Sequence, residues 1–360
     1  MIRYVVRGLG ALVLIVALAI AGAFAWRAAL KHGNAEAFAI RSANGVDEAR
    51  FVRINGVDQW LTIRGQDRSN PMLLVLHGGP GSPESYLTRY FRPLERDWVV
   101  VQWDQRGGGK TLGRAGGSPD HNTDMATMVS DGIAFSDYLH QRFPENKLVV
   151  VGHSWGSILG ARMALARPDL YAAYVGTGQV AASAASRQTW LYTYLLSRAQ
   201  AAGDAKGVAE LRDEAGPPPW PDSSPAMMHM VHAAGPYLPP SLSYNDNAKA
   251  VLTDPNWSLA DVLALQRGMT GMLQTHLWKR EVRDVDITGA GETFAMPVVV
   301  IQGGSDLTTP TPLARAWLDR VQAPAKAFVV VPGQGHELLT VDNAAFTQAL
   351  DANLRPLLGR

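Results

Sequence analysis

The sequence predicts a protein of the α/β class, in which helices cover both faces of a mostly parallel sheet. Short apolar runs typical of buried strands alternate with helix-forming stretches in residues 72–167 and return after residue 296. The clearest unit is an apolar run, residues 148–151, that leads through a glycine-flanked serine into a helix-forming stretch. Residues 181–292 carry no strand pattern, so a helical insertion is expected between two parts of the sheet.

The elements follow in a definite order. Alternation over residues 49–64 around Asn55-Gly56, a turn dipeptide, predicts an antiparallel hairpin. Later strands are predicted at residues 72–76, 98–102, 148–151, 297–301 and 327–331, and helices at 125–142, 157–167, 188–200, 258–278 and 342–354. The predicted organisation is an N-terminal segment at 1–30, a first core part at 45–180, a helical cap at 181–292 and a second core part at 293–360.

The N-terminus carries a long apolar segment. Nineteen uncharged residues run from Gly8 to Trp26, close to the ~20 needed for a transmembrane helix. Arg3 and Arg7 precede it, which predicts a membrane-anchored protein with its catalytic domain facing the periplasm or exterior. The small residues at 23 and 25 also fit a signal-peptide cleavage site, so secretion after cleavage is the alternative.

Composition excludes several classes of function. Lys and Arg number 33 against 32 acidic residues, which gives no sign of a nucleic-acid partner. Cysteine is absent, and this excludes disulfides, thiol nucleophiles and cysteine-bound metals. No H-E-x-x-H motif occurs, and His229 and His232 are interpreted as part of a packed helix or loop. We therefore expect neither metal nor cofactor.

Residues 152–156, Gly-His-Ser-Trp-Gly, have the pattern of a nucleophile elbow. A serine hydroxyl is a weak nucleophile and must be held clear of the backbone beside a base. Small residues at Gly152 and Gly156 allow the sharp strand-to-helix turn that exposes Ser154. An ordinary loop is the alternative for so short a pattern, but the strand before it and the helix after it favour the elbow.

Two further residues follow later strands. Asp306 comes after the strand at 298–301, and His336 after the strand at 328–331. Each has another interpretation: Asp306 could cap a helix near Pro310, and His336 could be a loop histidine. Because carboxyl ends of parallel strands meet at one edge, the order Ser154, Asp306, His336 predicts a catalytic triad.

An oxyanion hole requires two backbone amides. Trp155, after the serine, is expected to supply one. The glycine-rich turn at 77–81 is expected to supply the other, from Gly79 or its neighbour Gly78.

Four motifs together resemble the proline iminopeptidase family of α/β-hydrolases: His-Gly-Gly-Pro-Gly at 77–81, Asp-Gln-Arg-Gly at 104–107, Asn122-Thr123 before a helix with Asp131, and Gly-His-Ser-Trp-Gly-Ser at 152–157. The resemblance covers about residues 50–180 and 296–340. It implies an α/β-hydrolase fold with Ser154 as nucleophile, Asp306 as acid and His336 as base, and an aminopeptidase that removes N-terminal residues from small peptides. It implies only structural roles for Asp104 and Arg106.

The cap departs from that family. Related iminopeptidases bind the substrate's free amino group through cap glutamates, one of them in a Trp-Glu pair, which this chain lacks. No substrate-binding residue is assigned, and the oligomeric state is unknown. A carboxylesterase, lactonase or amidase remains an alternative, as does a non-catalytic binding protein, against which the intact triad argues. The unplaced candidates are Glu210, Glu214, Glu281 and Glu292, with Trp190, Trp220, Trp257 and Trp278 as possible pocket residues.

Overall fold

An eight-stranded sheet organises the chain in the computed structural model, which describes residues 2–221, 225–241, 243–287 and 292–359. The predicted cap segment therefore includes residues 222–224, 242 and 288–291, which lie outside the described residues. The strands are β1 (Val46–Ile54), β2 (Val57–Gly65), β3 (Met72–Leu76), β4 (Val99–Asp104), β5 (Leu148–His153), β6 (Ala173–Thr177), β7 (Val298–Gly303) and β8 (Lys326–Val331).

The strand order is β1-β2-β4-β3-β5-β6-β7-β8. β2 is antiparallel to both β1 and β4, and every later pairing is parallel. The hairpin between β1 and β2 turns at Asn55 and Gly56, whose φ angles of 43° and 78° suit a type I′ turn. The predicted mostly parallel α/β fold is confirmed.

Helices cover both faces of this sheet and build an insertion beyond it. α1 (Ile2–Phe38) precedes the sheet, and the core helices before the insertion are α2 (Thr88–Phe91), α3 (Gly109–Arg114), α4 (Met125–Arg142) and α5 (Trp155–Ala166). The insertion holds α6 (Ala184–Ala202), α7 (Ala205–Ala209), α8 (Pro225–Ala234), α9 (Tyr244–Thr253) and α10 (Leu259–Gly271), and α11 (Thr311–Arg320), α12 (Leu338–Val341) and α13 (Asn343–Leu354) follow β7 and β8. Continuous apolar strands such as β3 and β5 are buried on both faces, as expected of a covered parallel sheet.

The insertion lies between β6 and β7 and has a small apolar core of its own, formed by Leu195, Leu211, Trp220 and Met230. The single long helix predicted at 258–278 is wrong after Gly271. α10 starts at a capping box between Ser258 and Asp261 but ends at Gly271. The amides of His276 and Leu277 instead donate to the carbonyls of residues 121 and 123, because tertiary partners replace the i−4 acceptors.

Several elements were not predicted individually, among them β6 and α3. β6 is only five residues long and reads Ala-Tyr-Val-Gly-Thr, so its small residues hide the strand pattern. α3 follows a glycine triplet that obscures helix propensity.

Helix α1 extends well beyond the apolar segment. Among the described residues, one helix, Arg7–Phe38, is long and apolar enough to cross a membrane or serve as a signal sequence, and its most apolar stretch packs against nothing. Its C-terminal end is different, since Phe38 is buried against the catalytic domain and its carbonyl accepts a hydrogen bond from Arg64.

Candidate active site

The turn from β5 into α5 holds Ser154 in an unusual backbone conformation. Its φ is 54° and its ψ is −121°, which is strained for a residue with a side chain. The chain passes too closely for larger neighbours. A Cβ at Gly152 would lie 2.4 Å from the carbonyl oxygen of Gly156, and one at Gly156 would lie 2.1 Å from that of Leu76. Both glycines are therefore required for this turn.

The structure brings the three residues of the predicted triad into one hydrogen-bonded chain. Ser154 Oγ lies 2.9 Å from His336 Nε2. On the other side of the ring, His336 Nδ1 lies 3.0 Å from Asp306 Oδ2. With Nδ1 donating to the carboxylate, Nε2 is free to accept the serine proton, which is the arrangement required for nucleophilic activation.

Asp306 is fully buried and held as a carboxylate. Its Oδ1 accepts from the amides of Thr308 and Thr309, and its Oδ2 accepts from Gln302 Nε2 and Thr309 Oγ1. Burial favours the neutral acid, but the attraction of His336 and these hydrogen bonds hold the pKa of Asp306 below its ordinary value. The alternative role as a helix cap is not realised: the N-cap of α11 is Pro310, and the two amides that Asp306 binds lie before the helix.

Ser154 faces a glycine-rich turn after β3. A Cβ at Gly78 would lie 3.3 Å from the Cβ of Ser154, and Gly79 has a φ of 112° that favours glycine. The amides of Gly79 and Trp155 have no hydrogen-bond acceptor among the described residues. Trp155 is the first residue of α5, where helix amides lack internal partners.

Hydrogen bonds connect this turn to the elbow. His77 Nδ1 donates to the carbonyl of Gly78 at 2.7 Å, while its Nε2 accepts from the amide of Gln105 at 3.2 Å. Burial lowers the pKa of His77 to about 4, so the ring stays neutral as this pattern requires. Gln105 Oε1 accepts from the indole of Trp155 at 2.9 Å, which links the turn to the residue after the serine.

A buried ion pair lies directly behind the serine, and the sequence analysis missed it. His153 Nδ1 lies 2.6 Å from Glu84 Oε1, and its Nε2 donates to the carbonyl of His336 at 3.1 Å. Burial opposes the charge of both groups, but each stabilises the other: the pKa of His153 is raised and that of Glu84 is lowered. In the sequence, the one sign of this pair was Glu84, an acidic residue within the apolar and glycine-rich segment after β3.

The triad opens into a cavity of about 480 Å³ between the glycine turn and the insertion. Leu265 and Met269 of α10 line it opposite Ser154. Glu337 also lines it, and its carboxylate oxygen lies within 4.8 Å of ring nitrogens of His153 and His336. Glu84 also lines the cavity, but it forms an ion pair with His153. The carboxylate of Glu337 is therefore the negative charge of the cavity that has no hydrogen-bonded cation.

The acidic and aromatic candidates of the insertion lie elsewhere. Glu210 contacts His229, Glu214 is exposed, Glu281 accepts from the amide of Met125, and Glu292 accepts from the indole of Trp317. None of these carboxylates lines the cavity of Ser154. Trp220 and Trp257 are buried packing residues, Trp190 stacks on Tyr194, and Trp278 packs against the main core.

Asp104 and Arg106 brace loops. Asp104 accepts from the amide of Lys110, and burial raises its pKa to about 7. Arg106 forms two hydrogen bonds, of 2.8 and 3.0 Å, with Asp131. Neither residue lines the catalytic cavity.

Two groups of the described residues have the composition of a metal site: His153 with His336 and Glu337, and Glu210 with His229 and His232. In the first group, the ring nitrogens of both histidines already make the hydrogen bonds given above. The second joins His229 and His232 of α8 to Glu210, which directly follows α7, and His229 Nδ1 lies 2.5 Å from Glu210 Oε1. His229 and His232 thus lie on a helix, one of the two predicted settings.

Comparison with known proteins finds relatives that match most of this chain. The probable aminopeptidase YbaC of Bacillus subtilis (strain 168) is 26% identical over 84% of this chain and 95% of its own length. A probable proline iminopeptidase of Streptomyces coelicolor is 29% identical over 78% of this chain and 87% of its own length. A solved structure described as a membrane phospholipase A superposes with a TM-score of 0.57 at 17% identity, covering 98% of this chain and 99% of that one.

The fold and the residues at its strand ends define a serine hydrolase of the α/β-hydrolase class. The family model for serine aminopeptidases, S33, matches residues 67–343, and the chain belongs to that family. The predicted likeness to proline iminopeptidases is confirmed.

Proposed function

We propose that the protein is a serine aminopeptidase that works through Ser154, His336 and Asp306. The observation that carries this proposal is the continuous chain of hydrogen bonds, 2.9 and 3.0 Å long, from the serine through the histidine to the aspartate. Ser154 Oγ attacks the substrate carbonyl while His336 Nε2 takes its proton and later delivers it to the leaving amine. Asp306 holds the ring orientation and stabilises the imidazolium.

The attacked carbonyl oxygen becomes negatively charged in the intermediate. The amides of Trp155 and Gly79 are assigned to receive it, because Trp155 follows Ser154, Gly79 lines the same cavity, and neither amide has another acceptor among the described residues. Water then hydrolyses the acyl-enzyme by the same proton transfers in reverse.

Glu337 is proposed to bind the free amino group of the substrate. Its carboxylate forms no salt bridge with another described residue. It lines the cavity and lies next to the catalytic histidine, so a cation bound there would be held close to the scissile carbonyl. The insertion glutamates lie outside the cavity, so a residue of the core, Glu337, is proposed to bind the amino group instead. The substrate class is a short peptide or aminoacyl amide with an unblocked N-terminus.

A panel of fluorogenic aminoacyl amides, their N-acetylated forms and short esters tests these assignments. Ser154→Ala should lose activity on every substrate, by about 10³-fold or more. Glu337→Gln should raise KM for free aminoacyl amides and leave the N-acetylated amides and esters unchanged, while Glu214→Gln, an exposed matched control, should change neither. Equal rates of wild type on blocked and unblocked amides would exclude amine recognition.

A second candidate keeps the mechanism and changes the substrate to an ester of a membrane-borne amphiphile. The observation in its favour is the apolar helix α1. In addition, the superposition on the structure described as a membrane phospholipase A covers all but 2% of this chain. Turnover of long-chain esters in vesicles, with no turnover of aminoacyl amides, would establish this alternative.

For location, we propose that α1 anchors the protein with its catalytic domain outside the cytoplasm. α1 runs without interruption through the small residues at 23 and 25, and Arg27 and Asn34 make hydrogen bonds with the insertion. Cleavage there would remove the apolar span and release the domain. The mass of the mature protein distinguishes these outcomes.

A further inference from the structure

Hydrogen bonds attach the C-terminal part of helix α1 to the insertion. Three of its residues donate to backbone carbonyls at and just after the C-terminal end of α9, where helix carbonyls lack internal donors. The bonds are Arg27 Nε to Leu252 O (2.9 Å), Arg27 Nη2 and Lys31 Nζ to Trp257 O (2.9 and 2.7 Å), and Asn34 Nδ2 to Thr253 O (2.9 Å).

These contacts fix the height of the insertion relative to the apolar span. The span ends at Trp26, and its 19 residues at about 1.5 Å each give about 28 Å, the thickness of a bilayer's hydrocarbon core. Arg27 is the next residue, so it lies at the level of the lipid headgroups if α1 spans the bilayer. The carbonyls that Arg27 binds belong to Leu252 and Trp257, and they lie at that level too.

The insertion exposes leucines at this place. Leu252 is 37% exposed, and Leu259 and Leu263, one turn apart on the same face of α10, are 39% and 60% exposed. α10 then continues toward the active site, where Met269 is also exposed and lines the cavity of Ser154. Single exposed leucines are ordinary on soluble proteins, but this group adjoins a membrane-spanning segment and leads to the catalytic cavity.

We propose that Leu252, Leu259 and Leu263, here named the leucine face, rest in the headgroup region of the bilayer that α1 crosses. The occupant of this surface is lipid, since the hydrogen bonds of Arg27 bring it to the end of the apolar span. The mouth of the cavity is then close to the membrane surface. This inference rests on the proposed anchoring by α1 and does not depend on which substrate Ser154 cleaves.

The absence of native cysteine allows a direct test with the full-length protein. Single variants Leu263→Cys and Leu259→Cys would be labelled with an environment-sensitive fluorophore and reconstituted in phosphatidylcholine vesicles. Nitroxide-bearing lipids, with the nitroxide near the headgroup or near the bilayer centre, report the depth of the label. Leu14→Cys in the apolar span, 59% exposed, tests the anchor itself.

Leu357→Cys is the matched negative control. Leu357 is 41% exposed, similar to Leu259, but the carbonyl of its neighbour Leu358 binds Lys147 at the amino end of β5, whereas Ser154 and its cavity lie at the carboxyl end of that strand.

We expect headgroup-level nitroxides to quench labels at Leu263 and Leu259, bilayer-centre nitroxides to quench Leu14, and neither to quench Leu357. Quenching at Leu14 without quenching at Leu263 and Leu259 would overturn the leucine face and leave the anchor intact. No quenching at Leu14 would overturn the anchor and this inference with it. Disulfide cross-linking of Leu263→Cys between two chains, without lipid quenching, would mean that a second copy covers this face and would also overturn it.

Discussion

Replacing Glu84 with glutamine tests the buried ion pair behind the serine. The substitution keeps the size of the side chain and removes its charge, leaving His153 buried without its hydrogen-bonded counterion. Breaking a buried pair in this way costs about 3–5 kcal/mol. For a chain of this length, roughly 1–2 °C of melting temperature corresponds to each kcal/mol, so we expect a decrease of about 3–10 °C near pH 6.

The pH dependence gives this prediction a direction. Because the folded pKa of Glu84 is lowered, its contribution is present above the unfolded value of about 4.5 and is lost as the pH falls further. Because the folded pKa of His153 is raised to about 10, its contribution is complete below about 6.5 and is lost as the pH rises toward 10. The stability difference between wild type and Glu84→Gln should therefore be largest between about pH 4.5 and 6.5.

The assay is tryptophan-detected thermal unfolding of the full-length protein in detergent from pH 4 to 10. Glu84→Gln combined with His153→Asn removes both charges and should recover part of the lost stability, because no unpaired charge remains. A melting-temperature difference that is below 1 °C at pH 6, or that grows toward pH 10, would refute a charged pair at this site.

Three further predictions concern the turn, the triad and the oxyanion loop. Gly156→Ala should prevent folding of the elbow, detected as loss of soluble protein, because its Cβ would lie 2.1 Å from a carbonyl oxygen; Gly33→Ala, which meets nothing within 4 Å, is the control. Asp306→Asn should lower kcat by about 10⁴-fold with little change in KM, measured with the preferred fluorogenic substrate, and an unchanged kcat would remove Asp306 from the triad. Since the pKa of His77 is lowered to about 4, its contribution to stability is present above about pH 6.5 and lost as the pH falls, so His77→Gln should flatten the acid side of the melting-temperature profile.

Much of the fold could be predicted from local patterns. Apolar runs of four or five residues predicted β3, β5, β7 and β8, and Asn55-Gly56 predicted the first hairpin, because turn chemistry and burial on both faces leave direct marks in the sequence. β6 left no such mark, since its glycine and small residues are selected by packing against neighbouring strands. The end of α10 was also missed, because the acceptors that replace its helical bonds are about 150 residues away in the chain.

By itself, the sequence determined the class of protein, the order of Ser154, Asp306 and His336, and an apolar N-terminal span long enough to cross a bilayer. These features lie within short segments or depend only on the order of residues along the chain. The carboxyl ends of parallel strands lie at the same edge of the sheet, whatever the path of the chain between them. Only the tertiary structure decided what surrounds the serine. Glu84 and Glu337 come from separate loops, and the insertion glutamates point elsewhere, because long-range packing rather than local pattern sets which charges share a cavity. The attachment of α1 to the insertion was likewise invisible in the sequence, since its hydrogen bonds join residues more than 200 positions apart.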